Sequence, residues 1–348
     1  MAGGSDTGAG TNISTLAPGI ALAGALAIGA TLLEPYVGRL LPLPALVIAL
    51  VIGIWMHPLA VRPSITPGLR FCVSKVLRVA VALLGLRVSL GDIAALGVGT
   101  ALLVVIAMTT TIFAGVLLAR FFGLSSAYGA LAGTATAVCG ASAALATSSV
   151  LPPYQGKDAD TVFVIVAVNL LSTVAMLVYP PLGHALGFND QTIGVMIGGS
   201  IHDVAQVVGA GYAVSDTVGN TAVVVKLFRV FLLLPAVLAV GWYFTRQGLR
   251  HGEARVPVPV FGIVFLILCA VNSAMPLFPA LVPVYAPVKK VLSEASIWGL
   301  LLAIAALGLG TSIKTIIALG WRHIASALGT TAVIFVVITG GLLLLRIV

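Results

Sequence analysis

Charge is scarce in this chain: 18 basic and 10 acidic side chains account for 8% of its 348 residues. A soluble domain carries about a quarter charged residues, so that class is excluded, and a mean hydropathy of +1.17 agrees. Short segments of alternating polarity are also missing, which excludes a transmembrane β-barrel. The three cysteines, Cys72, Cys139 and Cys269, stand far apart inside apolar runs. They form neither a disulfide framework nor a metal motif, and such a cysteine behaves as a small buried hydrophobe. No phosphate-binding loop of the P-loop type occurs, so an ATP-driven pump within this polypeptide is not expected. The net charge of +8 is scattered singly between apolar runs, which makes topology signals rather than a nucleic-acid-binding stripe.

What remains is an all-α polytopic membrane protein. Apolar windows of about 20 residues, the length a helix needs to cross the hydrocarbon layer, recur along the whole chain. About eleven candidate crossings lie near 16–33, 41–57, 71–92, 95–119, 127–150, 159–182, 192–213, 219–244, 258–280, 295–318 and 324–346. Residues 1–15, small and polar, read as a disordered tail. Residues 16–348 read as one transmembrane domain. No basic residue precedes the first apolar run, so a cleavable signal peptide is not expected. If every candidate crosses, Arg62, Arg70, Arg120, Arg246, Arg250, Arg255 and Arg322 share one side. Arg39, Lys157, Lys289 and Lys290 then fall on the other, and the richer side is cytoplasmic by the positive-inside rule. The N-terminus is then cytoplasmic and the C-terminus external.

An internal echo bears on the architecture. The stretch "AVALLGLRVSLGDIAALG" from Ala80 aligns without gaps on "AIAALGLGTSIKTIIALG" from Ala303, with Gly85 on Gly308 and Ser89 on Ser312. Roughly ten of the eighteen positions match. The copies stand an odd number of crossings apart, which implies inverted repeats, around 71–182 and 192–346. Arg87 stands opposite Gly310, so any symmetry is broken there.

Two segments carry the candidate chemistry. "GTATAVCGASAALATS", Gly133–Ser148, has almost no side chain larger than a methyl or hydroxyl group. Small residues every fourth position would serve helix packing. Small residues on all faces also permit a broken or re-entrant helix whose backbone meets solute or water. Gly140 is the expected break, with Thr136, Cys139 and Ser142 beside it; the half-helix that follows would offer N–H groups to an anion. "IGGSIHDVAQVVGAGYA", Ile197–Ala213, places Gly199 and Ser200 before His202, Asp203 and Gln206. Ionisable groups inside a crossing are costly and point to function by default, although Ser200 or Asp203 would also suit a helix cap.

Downstream, Lys226 and Arg229 share one helical face at i,i+3, well inside their crossing. Snorkelling competes with an inward role for these two and for Arg87. Asn169 and Asn272 read as interhelical hydrogen-bonding amides.

The segments "GTATAVCGASA", "SIHDVAQVVGAG" and "KLFRV" resemble motifs of the bacterial sulfate exporter family of inner-membrane proteins, over most of the chain from about the third crossing onward. That resemblance implies a bacterial inner-membrane location and broken helices that cross near mid-membrane, as in bile-acid-transporter-like and cation–proton-antiporter-like carriers. It also implies a Glu after the motif His, where this chain has Asp203.

The expected function is a secondary active transporter, acting as an exporter, of a small anion such as sulfate or another sulfur oxyanion or sulfonate. Thr136, Cys139, Gly140, Ser142, Gly199, Ser200, Gln206, Arg87, Lys226 and Arg229 would contact substrate, and His202 with Asp203 would couple transport to H+ or Na+. The alternatives are a proton- or sodium-coupled carrier of an unrelated organic solute, and a hydrolase built on Ser142, His202 and Asp203. Adjacent residues diverge on a helix, which disfavours that triad. No resident cofactor or metal is expected. The partners would be the anion, the bilayer and, as one option, a second copy of the chain.

Overall fold

The computed structural model describes residues 13–37, 45–246, 260–310 and 321–345. Among them every regular element is helical. The tail up to residue 12, Arg39, Arg250, Arg255, Ser312 and most of the second half of the sequence echo lie outside the described residues. Among the described residues seven helices are long and apolar enough to cross a membrane: Ser14–Val37, Gly97–Phe121, Lys157–Ala185, Asp216–Arg246, Val260–Leu277, Pro279–Gly310 and Trp321–Leu344. The other candidates are short or interrupted. Ala45–Trp55 has only 11 residues. The 71–92 segment changes from α-helix to a π turn at Cys72–Val76 and to a 3-10 turn at Leu84–Leu86. That turn also separates the echoed stretches, because the described part of the second copy is continuous helix.

The chain divides into two compact units. The smaller comprises residues 1–79 and 297–312. In it α1 (Ile13–Val37) packs on α2 (Ala45–Trp55) and on the short helix Thr66–Phe71. Gly19 and Gly68 let those backbones touch, and His57 Nδ1 lies 2.8 Å from the Leu309 carbonyl.

The larger unit, residues 80–296 and 313–348, holds the candidate segments. Its frame consists of α3 (Gly97–Phe121), α4 (Lys157–Ala185), α5 (Asp216–Phe231) continued by α6 (Leu233–Arg246), and α7 (Trp321–Leu345). Two helical hairpins are inserted into this frame.

The first hairpin is Ser126–Ala137 followed by Ala141–Val150. Ser125 caps its start through the Tyr128 N–H. The first arm runs antiparallel to α3, where Gly129 and Gly133 meet the Gly115 and Ile112 backbone. The second arm returns to the same end. Val150 packs on Gly241 near the end of α6, and the Thr161 hydroxyl donates to Ser148 at 3.0 Å. The Tyr128 hydroxyl donates to the His323 carbonyl at the start of α7, and Asp160 stands 3.4 Å from the His323 ring. Both ends of the 126–150 segment therefore lie with Arg120, Arg246 and Arg322.

The second hairpin, Asp190–Ser200 then Val204–Tyr212, enters from the opposite end. Its first arm runs alongside α5, with Gly194 against Thr221 and Gly198 against the Ala222 carbonyl. Its second arm brings Gly211 back to Gly219, and the Ser215 hydroxyl donates to Asp190 at 2.6 Å. A helix that turns back does not change sides. Lys157 consequently sits at the Arg120 end, which corrects its sequence-based assignment to the opposite side. Each of the two special segments is thus a returning hairpin, the re-entrant one of the two forms that the sequence left open.

Candidate functional site

The hairpin tips meet inside the larger unit. The first tip is the tight turn Val138–Gly140, where Gly140 adopts φ 67° and ψ −122°, a conformation accessible in practice only to glycine. The second is Ile201–Asp203, which is extended at Ile201 and Asp203. A Cβ on Gly140 would stand 3.7 Å from both the Asp203 Cβ and the His202 carbonyl oxygen.

Each tip exposes the carbonyl end of one arm and the amide end of the next. Helix ends leave their last four C=O and first four N–H groups without intrahelical partners. Lys226 and Arg229, both wholly buried on α5, close the carbonyl ends. Lys226 Nζ donates to the Val138 carbonyl at 2.6 Å, to Ile201 at 3.0 Å and also to His202. Arg229 donates from Nε to Ala137 at 2.9 Å and from Nη2 to Thr136 at 2.9 Å. Its Nη1 reaches Gly198 at 3.0 Å and Ile201 at 2.8 Å. Burying two cations is costly unless they are compensated, and neither forms a direct ion pair with a carboxylate among the described residues. The aligned carbonyl dipoles of two helix C-termini supply the compensating negative potential.

The amide ends differ. Ala141 and Ser142 at the start of one arm, and Asp203 and Val204 at the start of the other, are half-buried, whereas the carbonyl-end residues Thr136, Ala137, Gly198 and Ser200 are buried. Beside them on α4, Asn169 is half-buried and Ser172 buried. The Asp203 N–H donates to the Ser172 hydroxyl at 3.2 Å, and Gln206 Nε2 donates to Asn169 Oδ1 at 2.8 Å. Gln206 Oε1 is buried without a hydrogen-bond partner.

His202 is enclosed. Its Nδ1 stands 3.2 Å from the Thr136 carbonyl and its Nε2 3.0 Å from the Thr331 hydroxyl. A carbonyl only accepts, so Nδ1 carries a proton and Nε2 faces Thr331. Neither nitrogen bonds Ser142 or the Asp203 carboxylate, so the triad geometry is not formed.

Most sequence candidates converge at the tips. Gly140 is the break, Ser142 opens the following arm, and Cys139 lies buried in the turn. Thr136 supplies its carbonyl, and its hydroxyl pairs with Thr330 at 3.3 Å. Gly199 packs against Ile338, and the Ser200 hydroxyl donates to Met196 within its own arm, so these two serve the hairpin's packing. Arg87 is elsewhere. It pairs with Asp216 at 2.6 Å and lies 5.4 Å from the Tyr212 ring centre. Asp216 is ten residues from Lys226 on α5, about 15 Å by helical rise. Asn169 and Asn272 make interhelical hydrogen bonds, the latter to the Val88 carbonyl at 3.2 Å. Ser172, Thr330 and Thr331 were not singled out by the sequence. The only signal for them is a hydroxyl inside an otherwise apolar helix, which is too common to be specific.

These features define an all-helical polytopic membrane protein with two opposed hairpins meeting at a polar centre. Residues 18–327 match the family described as Conserved hypothetical protein 698, and the chain belongs to that family. It is 36% identical over 326 residues to a UPF0324 membrane protein of Chlorobaculum tepidum, covering 93% of this chain and 88% of the relative. It is 41% identical over 329 residues to the UPF0324 membrane protein TauZ of Paracoccus denitrificans, covering 93% and 94%. A UPF0324 membrane protein of Rhizobium meliloti is 39% identical over 333 residues, covering 95% and 93%.

Proposed function

We propose that this protein is a secondary carrier of a small anion, with sulfate, another sulfur oxyanion or a sulfonate as the substrate class, acting in the bacterial inner membrane. The carrying observation is the asymmetry at the hairpin tips. Both carbonyl ends are closed by Lys226 and Arg229, while the amide ends at Ala141–Ser142 and Asp203–Val204 are the accessible ones. Helix amide ends with positive dipole potential favour an anion. In this reading Ser142 and the first N–H groups of the Ala141–Val150 arm contact substrate, with Gln206 alongside. Lys226 and Arg229 contribute potential through the backbone they hold rather than by direct contact. Two hairpins entering from opposite ends also support inverted organisation of the 71–182 and 192–346 segments.

Asp203 is the proposed coupling group for H+ or Na+, because its half-buried carboxylate stands beside the substrate position. The enclosed His202 positions the tip. A proton- or sodium-coupled carrier of another solute is favoured over the anion reading only if Asp203 binds a cationic part of the substrate. The deciding experiment is flux into proteoliposomes of labelled sulfate, sulfite and small sulfonates, with organic cations as the contrasting panel. Uptake of an anion that is lost in Ser142→Leu supports the reading. Folded protein that moves none of the anions removes it.

A further inference from the structure

A cleft of about 520 Å³ lies between α3 and α6, with Ala130 of the first hairpin in its lining. Val105, Phe113 and Leu117 line it from α3, and Pro235 and Ala239 from α6. Phe113, Leu117 and Trp242 are exposed there, which leaves an open apolar trough rather than a sealed cavity. Arg120 lines it as well, 15 residues along α3 from Val105, so the trough extends about 22 Å by helical rise. One leaflet of hydrocarbon is about 15 Å deep, half the bilayer core. The dimensions suit one extended acyl chain.

The chemistry at the Arg120 end narrows the occupant. Arg120 Nε donates to the Ser126 hydroxyl at 2.8 Å, and its Nη2 stands 3.5 Å from the Tyr243 hydroxyl. Arg246 lies 4.0 Å over the Trp242 ring. Neither guanidinium has a carboxylate partner among the described residues. Trp242, Tyr243, Phe122 and Trp321 gather at this level, the last two with ring centres 6.1 Å apart, and such aromatic belts mark the headgroup depth. The same end carries Lys157 and Arg322, so the positive-inside rule makes it cytoplasmic, the leaflet face rich in anionic lipid.

We propose that this trough is a binding site for an anionic phospholipid, with one acyl chain along α3 and α6 and the phosphate held by Arg120 and Arg246. Arginine forks match phosphate oxygens in pairs, which a neutral interfacial contact does not reproduce. Because Ala130 belongs to the lining, the bound chain also braces the first hairpin.

The test uses full-length protein in which Trp55, Trp298 and Trp321 are replaced by Phe, leaving Trp242 as the emitter. It is reconstituted in phosphatidylcholine vesicles containing a small fraction of brominated phosphatidylglycerol or, separately, brominated phosphatidylcholine. The expected result is several-fold stronger quenching by the anionic lipid at equal mole fraction. R120Q/R246Q should abolish that difference, and Ala239→Phe should weaken quenching by filling the trough while keeping both arginines. Equal quenching by the two lipids overturns the proposal, as does selectivity that survives R120Q/R246Q. Unbrominated vesicles and gel-filtration profiles establish that each variant is folded.

Discussion

Lys226 and Arg229 both donate to the Ile201 carbonyl, at 3.0 Å and 2.8 Å. This shared acceptor ties both cations to the second tip, while Val138 and Ala137 tie them to the first. The two hairpins are thus joined through one turn of α5. Lys226→Met should leave the Val138 and His202 carbonyls buried and unpaired, at about 1–3 kcal/mol each. The expected outcome is a clear fall in the thermal unfolding midpoint in detergent. Arg229→Lys should also destabilise despite keeping charge, because a point charge cannot reproduce the four directed contacts of the guanidinium.

Gly140→Ala tests the first tip. Its φ of 67° with ψ of −122° puts an alanine in a region that costs about 1–3 kcal/mol. The space around the position is not the obstacle, since the nearest atoms to an added Cβ are 3.7 Å away. A lower unfolding midpoint with loss of flux is expected, from backbone strain alone. Gly140→Ser should fare no better, because the strain does not depend on side-chain polarity.

The break itself was legible in sequence because Gly140 stands in a run with no large side chain, and the polar tip of the second hairpin because His202 and Asp203 interrupt apolar flanks. The return of each hairpin was one of two forms that the sequence left open and could not decide. Residues 126–150 are long enough in sequence to cross, and only contacts distant along the chain, such as Val150 on Gly241 and Tyr128 on His323, fix where they end. The smallness of Gly133 also serves close packing on α3, one of the two uses that composition left open. The backbone contacts of Lys226 and Arg229 were not legible for a related reason. Their spacing shows a shared face, but not that the face meets two sets of carbonyl groups.

The hairpin arrangement predicts sidedness. In a background where Cys72, Cys139 and Cys269 are replaced by Ala, Gln155→Cys and Arg246→Cys should react with a membrane-impermeant maleimide from the same side. His184→Cys, at the far end of α4, should react from the opposite side. If residues 190–212 crossed instead of returning, Gln155→Cys and Arg246→Cys would label from opposite sides.

Asp203→Asn separates coupling from anion recognition. The amide keeps nearly the same shape, but it neither exchanges a proton nor offers a full negative charge to Na+. Anion exchange at fixed pH should therefore persist, while uptake driven by a pH or Na+ gradient should vanish. The second half of that expectation distinguishes Asp203 from His202: the imidazole is closed off by Thr136 and Thr331, so His202→Gln should lower stability first and leave the gradient dependence of surviving protein intact. Gradient-driven uptake that continues unchanged in Asp203→Asn would move the coupling role to another residue.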